Sequence, residues 1–216
     1  AVFNWAISSG EYEDVITDNP TGIIERGQGF RAVIEARDSY LDERQIPAWW
    51  RAVHGLRNTV ARDYLLFLFF CGTRRTETAK LDWQAIDFAA GTFTLHDTKN
   101  RKTVTLPLPG YTRSLIEQRK ASEGWVFPGT DGYYARPDTA IKAVAKEAGF
   151  DWAPHDLRRT FGTYAGELDI NYLTIKGLLN HKISKRDISA AYVHSHTKLS
   201  SLTSASEKIE RKLLTL

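Results

Sequence analysis

A short basic segment, residues 154–159, carries residue types that suit the binding of an anion. Pro154 favours the first turn of a helix, so His155 and Arg158, three positions apart, would lie on one face near its N-terminus. There the free backbone N–H groups and the positive end of the helix dipole add to an imidazole and a guanidinium. Taken alone, such a segment is more often a solvent-exposed basic helix face, because charged side chains are mostly exposed.

A second candidate lies where an apolar run ends at Gly72 and is followed at once by Arg74, Arg75 and Glu77. We expect Gly72 to end a buried helix, which would hold an arginine at the junction. The planar guanidinium of such an arginine can donate two parallel hydrogen bonds to phosphate oxygens. An ordinary helix connection with surface arginines is the more common arrangement when nothing else supports a site.

The composition permits DNA binding without demonstrating it. The chain has 216 residues, 42% of them hydrophobic, and a net charge of +3, which suits one globular domain with a small appendage. Its longest apolar run, residues 64–71, is about half of the roughly 20 residues that a membrane span needs, so we expect a buried helix and no membrane association. A single cysteine, Cys71, excludes an internal disulfide and fits a reducing, cytoplasmic compartment.

Apolar periodicity predicts a mainly α fold with one small antiparallel β-sheet, an α+β domain. Helices are expected from about residue 41, over the apolar run, and from Thr76 through Leu81. Two strands are expected at 88–95, centred on Ala90-Gly91, and at 103–108, joined by a turn at 97–102. Further helices are predicted at about 111–120, 137–148, 156–167, 171–180, 188–193 and 204–214.

Five separated motifs occur in one order along the chain. They are Gly72-x-Arg74-Arg75-x-Glu77, Thr98-Lys99, His155-x-x-Arg158, Leu178-Leu179-Asn180-His181 and Tyr192-Val193-His194. From about Leu41 to His194 the chain therefore resembles the tyrosine recombinase (phage integrase) family. The resemblance implies the tyrosine recombinase/integrase catalytic-domain fold. It also implies an enzyme that cuts and rejoins DNA to integrate or excise a mobile element of phage or prophage type.

The stretch before these motifs, with Asn4-Trp5-Ala6 and Asn19-Pro20, resembles the end of the core-binding domain of phage-type integrases. We therefore expect residues 1–29 to be the remnant of that domain and a linker, 30–199 the catalytic domain and 200–216 a tail helix. The missing initiator Met adds to the expectation that the chain is a piece of a longer protein. The tail helix, with Leu202, Ile209, Leu213 and Leu214 on one face, could pack on a neighbouring protomer or on its own chain.

The resemblance assigns the central chemistry to Tyr192, Arg74 and Arg158. Tyr192 would attack the scissile phosphate and form a 3′-phosphotyrosyl link. A free tyrosine has a pKa of about 10, so forming its phenolate at pH 7 costs roughly 4 kcal/mol unless the site helps. Arg74 and Arg158 would bind the non-bridging oxygens, where negative charge grows in the transition state.

Proton transfer and support fall to other residues of the motifs. Lys99, in the turn between the strands, would protonate the departing 5′-oxygen, with Lys102 as its rival. His155 would act as an acid or base near the nucleophile, and His181 would donate a hydrogen bond to the phosphate. Glu77 would orient this cluster. Further DNA contacts are expected from a set of flanking cations: Arg75, Arg101, Lys102, Arg159 and Lys182.

No cofactor and no metal are expected, and the partner is double-stranded DNA at attachment sites. A homotetramer on DNA and accessory DNA-bending proteins would complete the reaction. The alternatives are a type IB topoisomerase-like strand cleavage and a non-catalytic DNA-binding module.

Two details depart from the family pattern or compete with it. Asn180 stands where many members have glycine, and the gap from His181 to Tyr192 is about two residues longer than the commonest one, which a loop tolerates. The other nearby tyrosines, Tyr111, Tyr164 and Tyr172, are interpreted as packing residues.

Overall fold

The computed structural model describes residues 2–12, 14–20, 39–96, 103–121, 123–181 and 198–216. The chain divides into two compact units, Ala1–Asp38 and Ser39–Leu216. In the first unit, helix α1 (Val2–Ser9) buries Ala6 and is followed by Gly10, whose φ of 71° is left-handed. A helix is therefore present at this end of the chain.

The core of the second unit is built around helix α3 (Thr59–Cys71). The side chain of Asn58 caps its N-terminus by accepting a hydrogen bond from the backbone N–H of Ala61 at 3.1 Å, as asparagine commonly does. Residues 64–70 are all fully buried, as expected of a helix that is apolar on every face. Helix α2 (Ile46–His54) packs against it, so both predicted helices are present.

A small antiparallel sheet follows. Its strands, in the order β1-β2-β3, are Ile86–Asp87, Thr92–Leu95 and Val104–Pro107. The predicted single strand at 88–95 is wrong over its first half, because residues 88–91 form a turn in which Gly91 has a φ of 63°. Apolar side chains occur on both sides of that turn, so periodicity alone did not reveal it. The predicted turn at 97–102 lies outside the described residues.

The other helices of the described residues are α4 (Arg75–Ala79), α5 (Gly110–Glu117), α6 (Asp138–Ala148), α7 (Pro154–Glu167), α8 (Tyr172–Leu178) and α9 (Leu199–Leu214). Leu81 was expected inside α4 but follows its end, and it is buried there. The tail helix α9 begins five residues before its predicted start. The predicted helix at 188–193 lies outside the described residues. A two-stranded sheet, β4 (Pro128–Gly129) and β5 (Gly132–Tyr133), was not predicted.

Helix α9 packs within its own chain, against α7, α8, α3 and strand β3. Leu202, Ile209 and Leu213 are buried in this contact, whereas Leu214 is 45% exposed. Of the two alternatives for the tail, packing on its own chain is the one present in this structure.

The described residues are thus mainly helical with small antiparallel sheets, which confirms the predicted fold class. Within them, no helix combines the length and the apolar character needed to cross a membrane.

Candidate active site

Arg74 is held at the junction between α3 and α4. Helix α3 ends at Gly72, which is left-handed with a φ of 60°, and a Cβ added there would lie 2.7 Å from the ring of Phe161. Arg74 then occupies the position just before α4. One terminal nitrogen of its guanidinium donates to the carboxylate of Glu77 at 2.8 Å, and the other donates to the carbonyl of Asn180 at 3.4 Å. The carboxylate of Glu77 thus restricts the direction of the Arg74 guanidinium.

Arg158 lies in α7 and is only 4% exposed. Its Nη1 donates to the carbonyl of Gly72 at 2.7 Å, and its Nη2 donates to the carbonyl of Leu179. Burial and the nearby charge of Arg74 lower its pKa to about 10, while the charge of Glu77 acts in the opposite direction. The alternative of a solvent-exposed basic helix face is therefore wrong for Arg158, because this side chain is part of the interior.

The turn after α8 brings the third cluster to the same place. Asn180 is the non-glycine residue of the described chain with a left-handed φ, at 45°. The turn is closed by the backbone N–H of His181, which donates to the carbonyl of Lys176 at 2.9 Å. Because carbonyls at a helix C-terminus carry partial negative charge, those of residues 179 and 180 suit the two arginine side chains that they bind. Left-handed geometry at this position would suit glycine as well.

Both histidine side chains lie beside these arginines and are only partly buried. Burial lowers the pKa of His155 below its ordinary 6.5, and the positive charges of Arg159, Arg158 and Arg74 lower it further. Partial burial is also the largest cause of the lowered pKa of His181, followed by the charges of Arg158 and Arg74. Both imidazoles therefore favour the neutral form at pH 7, which can accept a proton or share one.

The N-terminus of α7 is fixed by its own first turn. The carboxylate of Asp156 accepts a hydrogen bond from the backbone N–H of Ala153 at 2.8 Å and another from the hydroxyl of Ser39 at 2.8 Å. These bonds satisfy an otherwise unpaired helix donor and set the direction in which His155 and Arg158 leave the helix.

Two of the predicted DNA-contacting cations are described. Arg75 is partly exposed, donates to the carbonyl of Ala135 at 3.2 Å and lies 3.6 Å from the carboxylate of Asp138. Arg159 is half-buried beside His155. The remaining predicted site residues lie outside the described residues: Lys99, Arg101, Lys102, Lys182 and Tyr192.

The three competing tyrosines differ from one another. Tyr164 is buried, and burial raises its pKa to about 12. Burial also raises the pKa of Tyr111, which is half-buried. Tyr172 is 65% exposed, with the ammonium of Lys176 lying 4.6 Å from its ring centre. Its interpretation as a packing residue is therefore wrong.

The sequence model of the phage integrase family matches residues 39–198, which is most of the chain. This chain belongs to the phage integrase family. Within the described residues of this family member, no group of three or more His, Cys, Asp or Glu side chains could hold a metal ion.

Two similar proteins indicate how much of an integrase the chain spans. It is 27% identical to prophage integrase IntF of Escherichia coli over 198 residues, covering 85% of this chain and 41% of that one. It is 26% identical to tyrosine recombinase XerA of Saccharolobus solfataricus over 166 residues, covering 75% of this chain and 53% of that one. The chain thus spans about half the length of the curated relatives that it matches.

Solved structures share the fold. An integrase from mycobacterium phage Brujita superposes with a TM-score of 0.63 at 22% identity, covering 99% of this chain and 72% of that one. A lambda integrase dimer bound to a COC′ core site superposes with a TM-score of 0.58 at 15% identity, covering 92% of this chain and 56% of that one. The integrase fold expected from the motifs is confirmed.

Proposed function

We propose that this chain carries out strand cleavage and rejoining in site-specific DNA recombination, through a 3′-phosphotyrosyl intermediate on Tyr192. The observation that supports this most directly is the meeting of Arg74, Arg158 and His181, which come from three separate parts of the chain. Two guanidinium groups and an imidazole around one point suit a single phosphate. Membership of the integrase family supports the same reaction.

In the cleavage step, the phenolic oxygen of Tyr192 forms a bond to the scissile phosphorus, and the bond from phosphorus to the 5′-oxygen breaks. The phenolic proton passes to the neutral imidazole of His155, and the departing 5′-oxygen takes a proton from Lys99 or Lys102. Rejoining reverses each transfer, with the 5′-hydroxyl of a DNA strand as the attacking group. The phosphotyrosyl bond retains the energy of the broken phosphodiester, so the reaction requires no cofactor.

The arginines act on the charge of the five-coordinate phosphorus. A guanidinium has more N–H donors than the two carbonyls bound by Arg158 occupy, so the same side chain can also donate to a phosphate oxygen. Arg74 is more exposed and presents a second positive charge, held in direction by Glu77. Donors that are already in place before DNA arrives need little rearrangement as negative charge develops, which is the main source of such stabilisation.

The histidines provide the proton chemistry around that phosphate. Because the pKa of each is lowered by burial and by the arginines, the neutral imidazoles persist below pH 6.5. His155 can then accept the phenolic proton, and His181 can donate a hydrogen bond to the phosphate from its N–H group.

The proposed partner is double-stranded DNA at attachment sites, contacted by Arg75 and Arg159 and by the cations beyond the described residues. A homotetramer is the proposed assembly, since a lambda integrase of similar fold was solved as a tetramer bound to a Holliday junction. Accessory DNA-bending proteins would assist, and the reaction would take place in the cytoplasm. The proteins named as similar are integrases and recombinases, which favours recombination over topoisomerase activity or DNA binding alone.

The test is covalent trapping on attachment-site DNA. A strand labelled at its 5′ end and nicked just beyond the cleavage site loses its short 5′-hydroxyl fragment after cleavage, so the adduct cannot reverse. We expect the chain to form a labelled covalent adduct in the presence of a metal chelator, and Tyr192→Phe to form none. Tyr172→Phe, a change at an exposed tyrosine outside the site, is the matched control and should react like the wild type. An adduct that persists in Tyr192→Phe would overturn the proposal.

A further inference from the structure

A buried carboxylate on the tail helix binds the start of another helix. Glu210 of α9 is 6% exposed. Its carboxylate accepts hydrogen bonds from the backbone N–H of Tyr111 at 2.9 Å, the backbone N–H of Thr112 at 2.9 Å and the Thr112 hydroxyl at 3.0 Å. Burying a carboxylate is costly unless it is fully hydrogen-bonded, and these three donors meet that need.

These bonds supply a cap that α5 lacks. The residue before α5 is Pro109, which has no side chain able to accept a hydrogen bond. The first turn of any helix leaves N–H groups without partners, and negative charge is favoured there. Glu210 fills both roles from 98 residues away. The tail helix and the start of α5 are therefore held together by a polar contact in addition to apolar packing.

The position of this contact links it to the active site. Strand β3 ends only two residues before Pro109, and Lys99 lies between β2 and β3 in the sequence. Helix α9 itself packs on β3 and begins shortly after the segment that contains Tyr192. The contact thus joins the helix that follows Tyr192 in the sequence to the start of α5, just after the strand that follows Lys99 and Lys102.

The same contact reaches the end of α3. The thiol of Cys71, the last residue of that helix, is buried, and burial together with the charge of Glu210 raises its pKa, while a side-chain hydrogen bond with Thr112 lowers it. Helices α3, α5 and α9 therefore meet around Glu210. The α3 residue at this meeting point, Cys71, directly precedes Gly72 and the turn that leads to Arg74.

We propose that Glu210 is a positioning residue for strand cleavage, which fixes the tail helix α9 to the start of α5 beside strand β3. Helix α9 and strand β3 are the described elements that follow Tyr192 and Lys99 in the sequence. The inference rests on the proposed function. It adds a residue that touches neither DNA nor the reacting atoms.

The first measurement is the rate constant of adduct formation in a single turnover at saturating DNA, with DNA affinity measured separately. We expect Glu210→Ala to lower the rate constant about tenfold, which corresponds to about 1.4 kcal/mol, with DNA affinity changed less than about twofold. Glu210→Gln should lie between Ala and wild type. Its amide oxygen can still accept from Thr112, but its NH2 group faces the N–H of Tyr111.

Two controls separate positioning from loss of stability. Glu207→Ala removes an exposed carboxylate one turn away on α9, and Ile209→Val removes buried volume beside Glu210 without touching the hydrogen bonds. Both should keep the wild-type rate constant, because a modest loss of stability leaves nearly all molecules folded. If Ile209→Val slows cleavage as much as Glu210→Ala, the inference is wrong.

Cys71 provides a readout that does not depend on DNA. It is the only cysteine of the chain, so the rate at which a thiol reagent modifies the native protein reports the opening of α9 and α5 from α3. We expect Glu210→Ala to raise this rate about tenfold and Glu207→Ala to leave it unchanged. A wild-type chain that forms no adduct would contradict the proposed function, whereas equal cleavage rates in wild type and Glu210→Ala would contradict only the role of Glu210.

Discussion

A left-handed residue follows both helix α3 and helix α8, directly at Gly72 and two residues on at Asn180, and a carbonyl at each end binds Arg158. The two ends do so under different constraints. At Gly72 a Cβ would lie 2.7 Å from the Phe161 ring, so both the backbone angle and the available space require glycine. At Asn180 a side chain is accommodated, and only the backbone angle is unusual. The first end is enclosed by the core, and the second is the start of the segment that leads to Tyr192.

This difference indicates how the site combines rigidity with variation in sequence. The carbonyl of Gly72 anchors Arg158 to the interior, where packing allows one residue type. The carbonyls of Leu179 and Asn180 bind Arg158 and Arg74 from a turn where Asn and Gly both fit. We expect the two ends to respond differently to substitution, and the arginine between them to be the most sensitive position.

Replacing Arg158, which binds both helix ends, should have the largest effect on cleavage and on stability. Arg158→Lys keeps the positive charge, but a single ammonium cannot bind both helix ends and a phosphate together. We expect the rate constant of adduct formation to fall by roughly 10² to 10³ and the free energy of unfolding to fall by about 1–3 kcal/mol as a buried carbonyl loses its donor.

Single-turnover trapping and urea denaturation measure these two quantities for Arg158→Lys. Arg211→Lys, at an exposed arginine of α9, is the control and should change neither. An unchanged free energy of unfolding in Arg158→Lys would mean that the two carbonyl contacts do not hold the helix ends together.

Gly72→Ala tests the enclosed end. The variant must accept a left-handed alanine and also displace the ring of Phe161, so we expect a loss of about 3 kcal/mol in the free energy of unfolding. Gly149→Ala is a matched control: Gly149 ends α6 with a φ of 81°, and a Cβ there meets no atom within 4 Å. Gly149→Ala should lose only the cost of a left-handed alanine, about 1 kcal/mol of unfolding free energy. Equal losses in the two variants would show that the space around Gly72 is not limiting.

Local signals allowed much of this arrangement to be predicted. The apolar run that ends at Gly72 predicts a buried helix and its end, and the Pro154 segment predicts the helix that carries Arg158. Both signals lie within a few neighbouring residues, where capping and periodicity act. The strand error at Ala90-Gly91 came from the same reliance on periodicity, since a turn can leave the alternation of apolar residues intact.

The contacts that build the site could not be predicted in this way. The bond from Arg158 to Gly72 joins residues 86 positions apart, and Glu210 caps a helix 98 positions away. In each case one partner is a backbone group, which every residue possesses. The residue type at that position therefore gives no sign that a long-range contact forms there. The family motifs predict a functional role for Arg158, but its burial depends on three helices packing together.

Asn180 should show the smallest effect and is the most specific test of the comparison. Asn180→Gly should leave stability and cleavage close to wild type, because glycine adopts left-handed angles freely. Asn180→Ala should lose about 1 kcal/mol of unfolding free energy, similar to Gly149→Ala. Only Asn180→Ala should also slow adduct formation, by a few-fold, because the turn presents two carbonyls to the arginines and Gly149 presents none. If Asn180→Ala loses stability but keeps its cleavage rate, the turn after α8 is an ordinary helix end, and Gly72 alone positions Arg158.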